Sequence, residues 1–370
     1  MNQRFESLDA FRGIAALIVV VHHMKFIGTA SDLVFFKEGA IFVEFFFVLS
    51  GFVLAHGYGF KKDLNFLVFM RARFFRLYPL HLFMFAVFLL LEFGKLAAYK
   101  YGGFTFSFTP FTGRNAPSEI IPNLLLIQSW VPFAEHFSFN SPSWSISIEI
   151  YLYVLLFLSV VVFSKFKKYI WILTPVIVFY LIISESEILL DPVLRGLSGF
   201  FGGASTYLLY KKIHNIRTTR LLASIIEVSV VACIIVLVQS KFEYRGIITT
   251  ILFCITILVF SFESGVVSNF LKLKPFQEAG KLSYSIYMIH SAILFLITSS
   301  MMILQKITGM ELAPMLRGGR HVTSGNEVIN NFLVVLVLAF VILVSKLTYK
   351  HIELKWQKKG KAITAKQMAI

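Results

Sequence analysis

Ten apolar runs, each close to the length that crosses a bilayer, divide this chain of 370 residues. A span needs about 17–25 predominantly apolar residues, since a helix rises about 1.5 Å per residue through a hydrocarbon core of about 30 Å. The runs fall at roughly 10–27, 41–58, 77–97, 146–164, 169–184, 193–211, 221–239, 246–262, 282–303 and 331–349. They predict an all-α fold: a polytopic membrane helix bundle of about ten transmembrane helices, one integral-membrane domain over 1–370. Composition agrees, with 57% hydrophobic and 15% charged residues, against about 45–50% and about 25% in a soluble domain. A water-soluble enzyme this apolar would expose large adhesive patches. Cys233 and Cys254 lie in separate apolar runs. They read as small buried hydrophobes, which excludes a disulfide scaffold. The polar stretch 98–145 holds one short apolar run, Ile120 to Trp130, too short to span and read as re-entrant or interfacial.

The net charge of +15 supplies an orientation. The connection 59–76 carries Lys61, Lys62, Arg71, Arg73 and Arg76; 165–168, 211–220 and the tail after Tyr349 are also basic. The alternate connections, 28–40, 185–192 and 240–245, carry little excess positive charge. Basic loops stay on the cytoplasmic side, so both termini are expected there, in a multi-pass protein of the cytoplasmic (inner) membrane. The same distribution accounts for the charge by contact with the bilayer surface and removes any need for nucleic acid.

Ionisable residues inside spans are costly and therefore candidates for function. Arg12 and His23 of the first run are eleven residues apart, so they fall within about 20° of one face and about 16 Å apart along it. Taken singly, Arg12 is explained by snorkelling and His23 by a satisfied core position. Depth along alternating spans groups His23, Glu44 and Glu149 in the outer half. Arg12, the cluster Arg71, Arg73 and Arg76, and Tyr284, Tyr287 and His290 fall in the inner half. Guanidinium groups suit phosphates, through bidentate hydrogen bonds. A histidine beside carboxylates suits general base catalysis. The arginines serve equally as topology determinants, and the serines around Trp144 as helix-packing groups. Ser50 and Gly51 read as a close-packing pair, and Glu227 and Arg195 as secondary lining groups. The histidines are scattered, with no metal-ligand spacing, and no Gly-rich phosphate loop is present.

These residues resemble the motifs of acyltransferase family 3, integral membrane proteins, over most of the chain. LDAFRGIAALIVVVHH is similar to an opening in which an Arg precedes a His, here Arg12 and His23, and VEFFFVLSGF gives Glu44, Ser50 and Gly51. RARFFRLYP gives Arg73, Arg76, Tyr78 and Pro79; SPSWSISIEIYLY gives Trp144, Ser145 and Glu149; LSYSIYMIH gives Tyr284, Tyr287 and His290. YKHIELK is similar to a terminal family element but has Lys355 where a proline is usual, so no role is assigned to it. The chain ends about twenty residues past its tenth run, which resembles the stand-alone form without an extracellular hydrolase-like domain.

The resemblance implies O-acyl transfer, most often acetyl, from cytoplasmic acetyl-CoA to a hydroxyl of a glycan or lipid-linked glycan. No metal is implied. On this reading Arg73 and Arg76 hold the nucleotide phosphates, with Arg12 beside the pantetheine arm. Tyr284, Tyr287 and His290 complete the donor site, supported by Ser50, Trp144 and Ser145. His23 is the base or the acylated nucleophile, oriented by Glu44 or Glu149. Neither carboxylate is preferred, and a homo-oligomer is compatible with such a bundle without being dictated by it. The rival classes are a membrane transporter, which would show matched helix breaks in two halves, and a scaffold of an export assembly. Candidate breaks such as Gly199 and Gly202–Gly203 in the sixth run have no matching pair elsewhere.

Overall fold

A computed structural model describes residues 4–316 and 318–368. Among these, ten helices of sixteen residues or more lie one over each apolar run. They are α1 (Glu6–His23), α2 (Phe42–Tyr58), α3 (Phe66–Gly102), α4 (Ser143–Val161) and α5 (Lys167–Ile183). α6 (Asp191–Ile213), α7 (Arg220–Gln239), α8 (Arg245–Phe260), α9 (Lys274–Thr308) and α10 (Glu327–Thr348) follow. A π-helical turn, Tyr349–Glu353, leads from α10 into α11 (Leu354–Met368). One two-stranded hairpin, Met315–Leu316 with Gly319–Arg320, is the only sheet among the described residues. Six helical stretches are long and apolar enough to cross a membrane: Gly39–Tyr58, Phe66–Gly102, Ser143–Val161, Arg220–Gln239, Lys274–Thr308 and Glu327–Ala365. α1 stands outside that group and carries Glu6, Asp9 and Arg12.

Two helices overrun their apolar cores, and this moves functional residues. α3 is 37 residues long because Asn65 accepts a hydrogen bond from the Val68 amide at 3.1 Å and caps a helix that begins at Phe66, eleven positions before the predicted start. Arg71, Arg73 and Arg76 are therefore helical residues rather than loop residues. α9 starts at Lys274, with Pro275 in its first turn. His290 then lies about 24 Å along that helix, well beyond the inner half where the depth argument places it.

Close backbone approach sets the two most extensive helix pairs, α1 with α9 and α2 with α6. A Cβ on Gly13 would stand 2.4 Å from the Ala279 carbonyl carbon, and one on Gly280 would stand 2.2 Å from the Asp9 oxygen. α2 and α6 interlock in the same way, since a Cβ on Gly51 would meet the Phe200 oxygen at 1.8 Å and one on Gly203 the Val48 oxygen at 1.9 Å. Without a hydrophobic drive between helices in lipid, such small-residue contacts hold them together by dispersion. The glycines of α6 thus pack; they do not break the helix.

The end of α1 is tied down beyond His23. Phe26 forms a β-bridge with Val322, and the Asn330 side-chain amide donates to the Ile27 carbonyl at 2.8 Å. The run read as re-entrant contains a six-residue helix, Ile120–Leu125. It and the turn after it bury Asn123, Gln128 and Ser129, and the Ser147 hydroxyl donates to the Leu126 carbonyl at 2.6 Å. The cysteines are free; Cys254 is half-buried, but Cys233 is exposed on α7, not buried as its apolar run suggests.

Candidate active site

A cavity of about 1010 Å³ occupies one end of the bundle. Its walls come from α1, α2, α3, α4, α9, the π turn and α11, together with Arg4 ahead of α1. Arg4 and Lys361 line the same cavity, so the segments leading into α1 and out of α10 lie at one end of the molecule.

Three arginines reach the cavity from two helices. Arg12 donates from Nε to the Ser283 hydroxyl at 2.9 Å and from a terminal nitrogen to the Gly280 carbonyl at 3.0 Å, and pairs with Asp9 at 3.1 Å. Arg73 donates to the Tyr58 hydroxyl at 3.2 Å, and its buried Nε has no partner. Arg76 forms no salt bridge with any described residue. Charges held this way, without an anion of their own at Arg73 and Arg76, are available to a ligand anion. Tyr284 donates to the Leu77 carbonyl at 2.6 Å and fixes α9 against α3 at this level.

Glu149 belongs to this cavity, not to the outer group expected from its depth. It accepts from the Ser50 hydroxyl at 2.7 Å and from the Tyr153 hydroxyl. Tyr287 lines the cavity on its His290 side, where its hydroxyl lies 2.9 Å from the Ser145 hydroxyl and its ring packs on Phe46 at 5.6 Å between centroids.

His23 and His290 lie just past that contact. Their rings stack with centroids 5.1 Å apart, and Tyr287 stands 6.0 Å from His290. Arg12 and His23 both face α9, as their spacing predicts, at positions two helical turns apart on that helix: Ser283 and His290. His290 is buried, with Nε2 3.2 Å from the Ser291 hydroxyl, whereas His23 is exposed away from the stack. The neighbouring His22 faces elsewhere, its Nδ1 3.3 Å from the Phe36 carbonyl.

Neither carboxylate expected to orient His23 hydrogen-bonds it. Glu44 is buried and accepts from Arg195 Nε at 2.8 Å, and that guanidinium stacks over Trp144 at 4.7 Å. A buried carboxylate needs such a partner, and Arg195 supplies it from α6. Glu44, Trp144 and Arg195 therefore form a brace behind the cavity. Glu227, also buried, accepts from the Gly265 and Ser268 amides at 2.8 and 2.9 Å. It holds the start of the short helix Val266–Leu271 and lies outside the cavity.

Sequence reasoning assigned nothing to Glu353, yet this carboxylate is buried, lines the cavity and accepts from the Ser285 hydroxyl. Thr348 in turn donates to Ser285 at 3.0 Å. The π turn Tyr349–Glu353 aims it there, in keeping with the use of such turns at functional sites. The signal was the YKHIE element, set aside because of Lys355. Among the described residues no group of three or more His, Cys, Asp or Glu residues could hold a metal ion.

A family model described as "Acyltransferase domain", that of acyltransferase family 3, matches residues 5–350. "Acyltransferase MdmB" of Streptomyces mycarofaciens is 36% identical over 162 residues, covering 41% of this chain and 38% of that protein. "Protein 2 in picA locus" of Rhizobium radiobacter is 43% identical over 83 residues, 21% of this chain and 41% of that protein. The matches thus span about two fifths of the length of these curated relatives. No solved structure matches.

Proposed function

The chain belongs to acyltransferase family 3, and from that premise we propose that it is a membrane O-acyltransferase. It moves an acetyl group from cytoplasmic acetyl-CoA to a hydroxyl of a cell-surface polysaccharide or its lipid-linked precursor. The observation that carries this reading is the arginine-walled cavity lined by Tyr287, with the His23–His290 pair directly beyond that side chain. Its basic end is the cytoplasmic end, as the positive-inside rule requires for Lys61, Lys62 and the lysines of 165–168 and 211–212.

In this reading the donor's phosphates sit between Arg73 and Arg76, where bidentate guanidinium contacts are available. The arm extends past Arg12, Glu149 and Glu353. Arg12 and His23 are about 16 Å apart along α1, a distance an extended pantetheine arm covers, so the thioester reaches the level of the histidines once the Tyr287 and Ser145 side chains part. His23 takes the proton of the acceptor hydroxyl as that oxygen attacks the thioester carbonyl. The new C–O bond forms, the C–S bond breaks, and the imidazolium returns the proton to the departing thiolate. His290, stacked on His23, fixes the ring's tilt. In the covalent variant an imidazole nitrogen of His23 attacks the thioester carbonyl, the C–S bond breaks and the coenzyme leaves as its thiol with the ring proton; the hydroxyl then attacks the acyl-imidazole, the C–N bond breaks and the freed ring nitrogen takes the hydroxyl proton.

Two measurements test this. The purified protein in nanodiscs should consume acetyl-CoA when given acceptor, an outcome a transporter or scaffold does not produce. Surface glycans from cells with and without the gene should differ in O-acetyl signals by NMR. Unchanged donor in the first measurement removes the enzyme, while unchanged glycans in the second remove only the acceptor.

A further inference from the structure

The family match ends at residue 350, yet the cavity wall continues beyond it. Glu353, Gln357, Lys361 and Thr364 all line the cavity, one face of a helix at steps of three or four residues. We propose that α11 is the outer wall of the donor site and that Lys361 binds the ribose phosphate at the nucleotide end of the donor. The proposal rests on the donor reading given above.

Three observations support it. First, α11 is seated firmly: Trp356 stacks on Phe75 with ring centroids 6.0 Å apart, and a Cβ on Gly360 would stand 2.8 Å from Phe75. Lys355, which carries an amide hydrogen where a proline would interrupt the ladder, lets the helix run on from the π turn. Second, position along the cavity is right. Lys361 lies eight residues beyond Glu353, about 12 Å along the helix, towards the mouth where Arg4 and Lys281 stand. A donor whose thioester is directed at the histidines leaves its nucleotide at that mouth. Third, Lys361 is unclaimed. Arg4 pairs with Asp9 at 2.8 Å and Lys281 with Glu278 at 3.7 Å, but Lys361 forms no ion pair with a described residue. An ammonium on a flexible stem suits a monoester phosphate, whereas the guanidinium groups of Arg73 and Arg76, on the helix that α11 packs against, suit the diphosphate.

The test is calorimetric binding of coenzyme A and of dephospho-coenzyme A, which lacks the ribose phosphate, to the full-length protein in nanodiscs. Lys361→Ala should weaken coenzyme A about tenfold, the scale of one charge-assisted hydrogen bond, and leave dephospho-coenzyme A unchanged. Lys361→Arg should restore most of the loss, and Lys358→Ala, on an exposed lysine outside the cavity, should change neither affinity. If Lys361→Ala leaves the preference for coenzyme A intact, or weakens both ligands equally, the proposal falls and the donor reading stands. If the wild-type protein binds neither ligand, both fall together.

Discussion

The bundle has two unlike halves. α1 to α4 with α9 and α11 surround the cavity, and every residue lining it belongs to them, to the π turn or to Arg4. α5 to α8 contribute none, and α7 turns residues such as Leu221, Val228 and Val236 outward. One half spends stability on buried charge and hydroxyl groups, while the other supplies close packing, chiefly through the glycines of α6 against α2. The lesson is that a membrane protein can build a charged cavity on one side of a bundle when the other side is packed well enough to hold that side's helices in register.

Substitutions should separate the halves, and the largest effect is expected at the histidine. His23→Ala should lower transfer about 10²–10⁴-fold, the usual contribution of a positioned base, with expression and melting temperature unchanged; activity within twofold of wild type would remove its role. Gly203→Val should do the reverse, because its side chain must displace the Val48 carbonyl. Overpacking of this kind costs about 1–3 kcal/mol or more, read as a lower detergent melting temperature, and an unaltered melting curve would contradict the interlock. Arg76→Ala should raise the KM for acetyl-CoA about tenfold to a hundredfold, as for a lost contact between charged groups. A kcat loss with constant KM would place Arg76 in the chemistry instead. Arg195→Ala strands buried Glu44 and should lower stability by about 3 kcal/mol, with double substitution at Glu44 and Arg195 to neutral residues recovering part of it. Val236→Ala, on an exposed face, should shift stability by less than about 0.5 kcal/mol.

The helices were legible because a bilayer demands long apolar runs, and each predicted run lies inside a helix or within a few residues of one. Their ends were less so. Hydropathy cannot see that Asn65 caps α3, nor that α9 begins at Lys274, and the depth of His290 was misjudged for that reason. The alignment of Arg12 with His23 followed from helical spacing alone, whereas Arg73 and Arg76 were grouped with Arg12 by depth along the alternating spans. The partners of the carboxylates did not: Glu44 is held by Arg195, 151 positions away, and Glu149 by Ser50, 99 positions away. Such pairings depend on which helices are neighbours, and a period of 3.6 carries no information about neighbours. Glu353 was overlooked because Lys355 replaces the proline usual after that element, so the YKHIE segment received no role.

An enzyme that works across a bilayer must not short-circuit it. Tyr287 and Ser145 line the cavity on its His290 side and touch each other there, with Phe46 packed on Tyr287. Two side chains that part for a slender arm and close behind it would let an acyl group through while protons and ions stay where they are. On the transfer route proposed above, the hydroxyl pair would serve as an electrical seal. Its loss, as in a Tyr287→Ala, Ser145→Ala double variant, should appear first as membrane leak and only second as altered turnover.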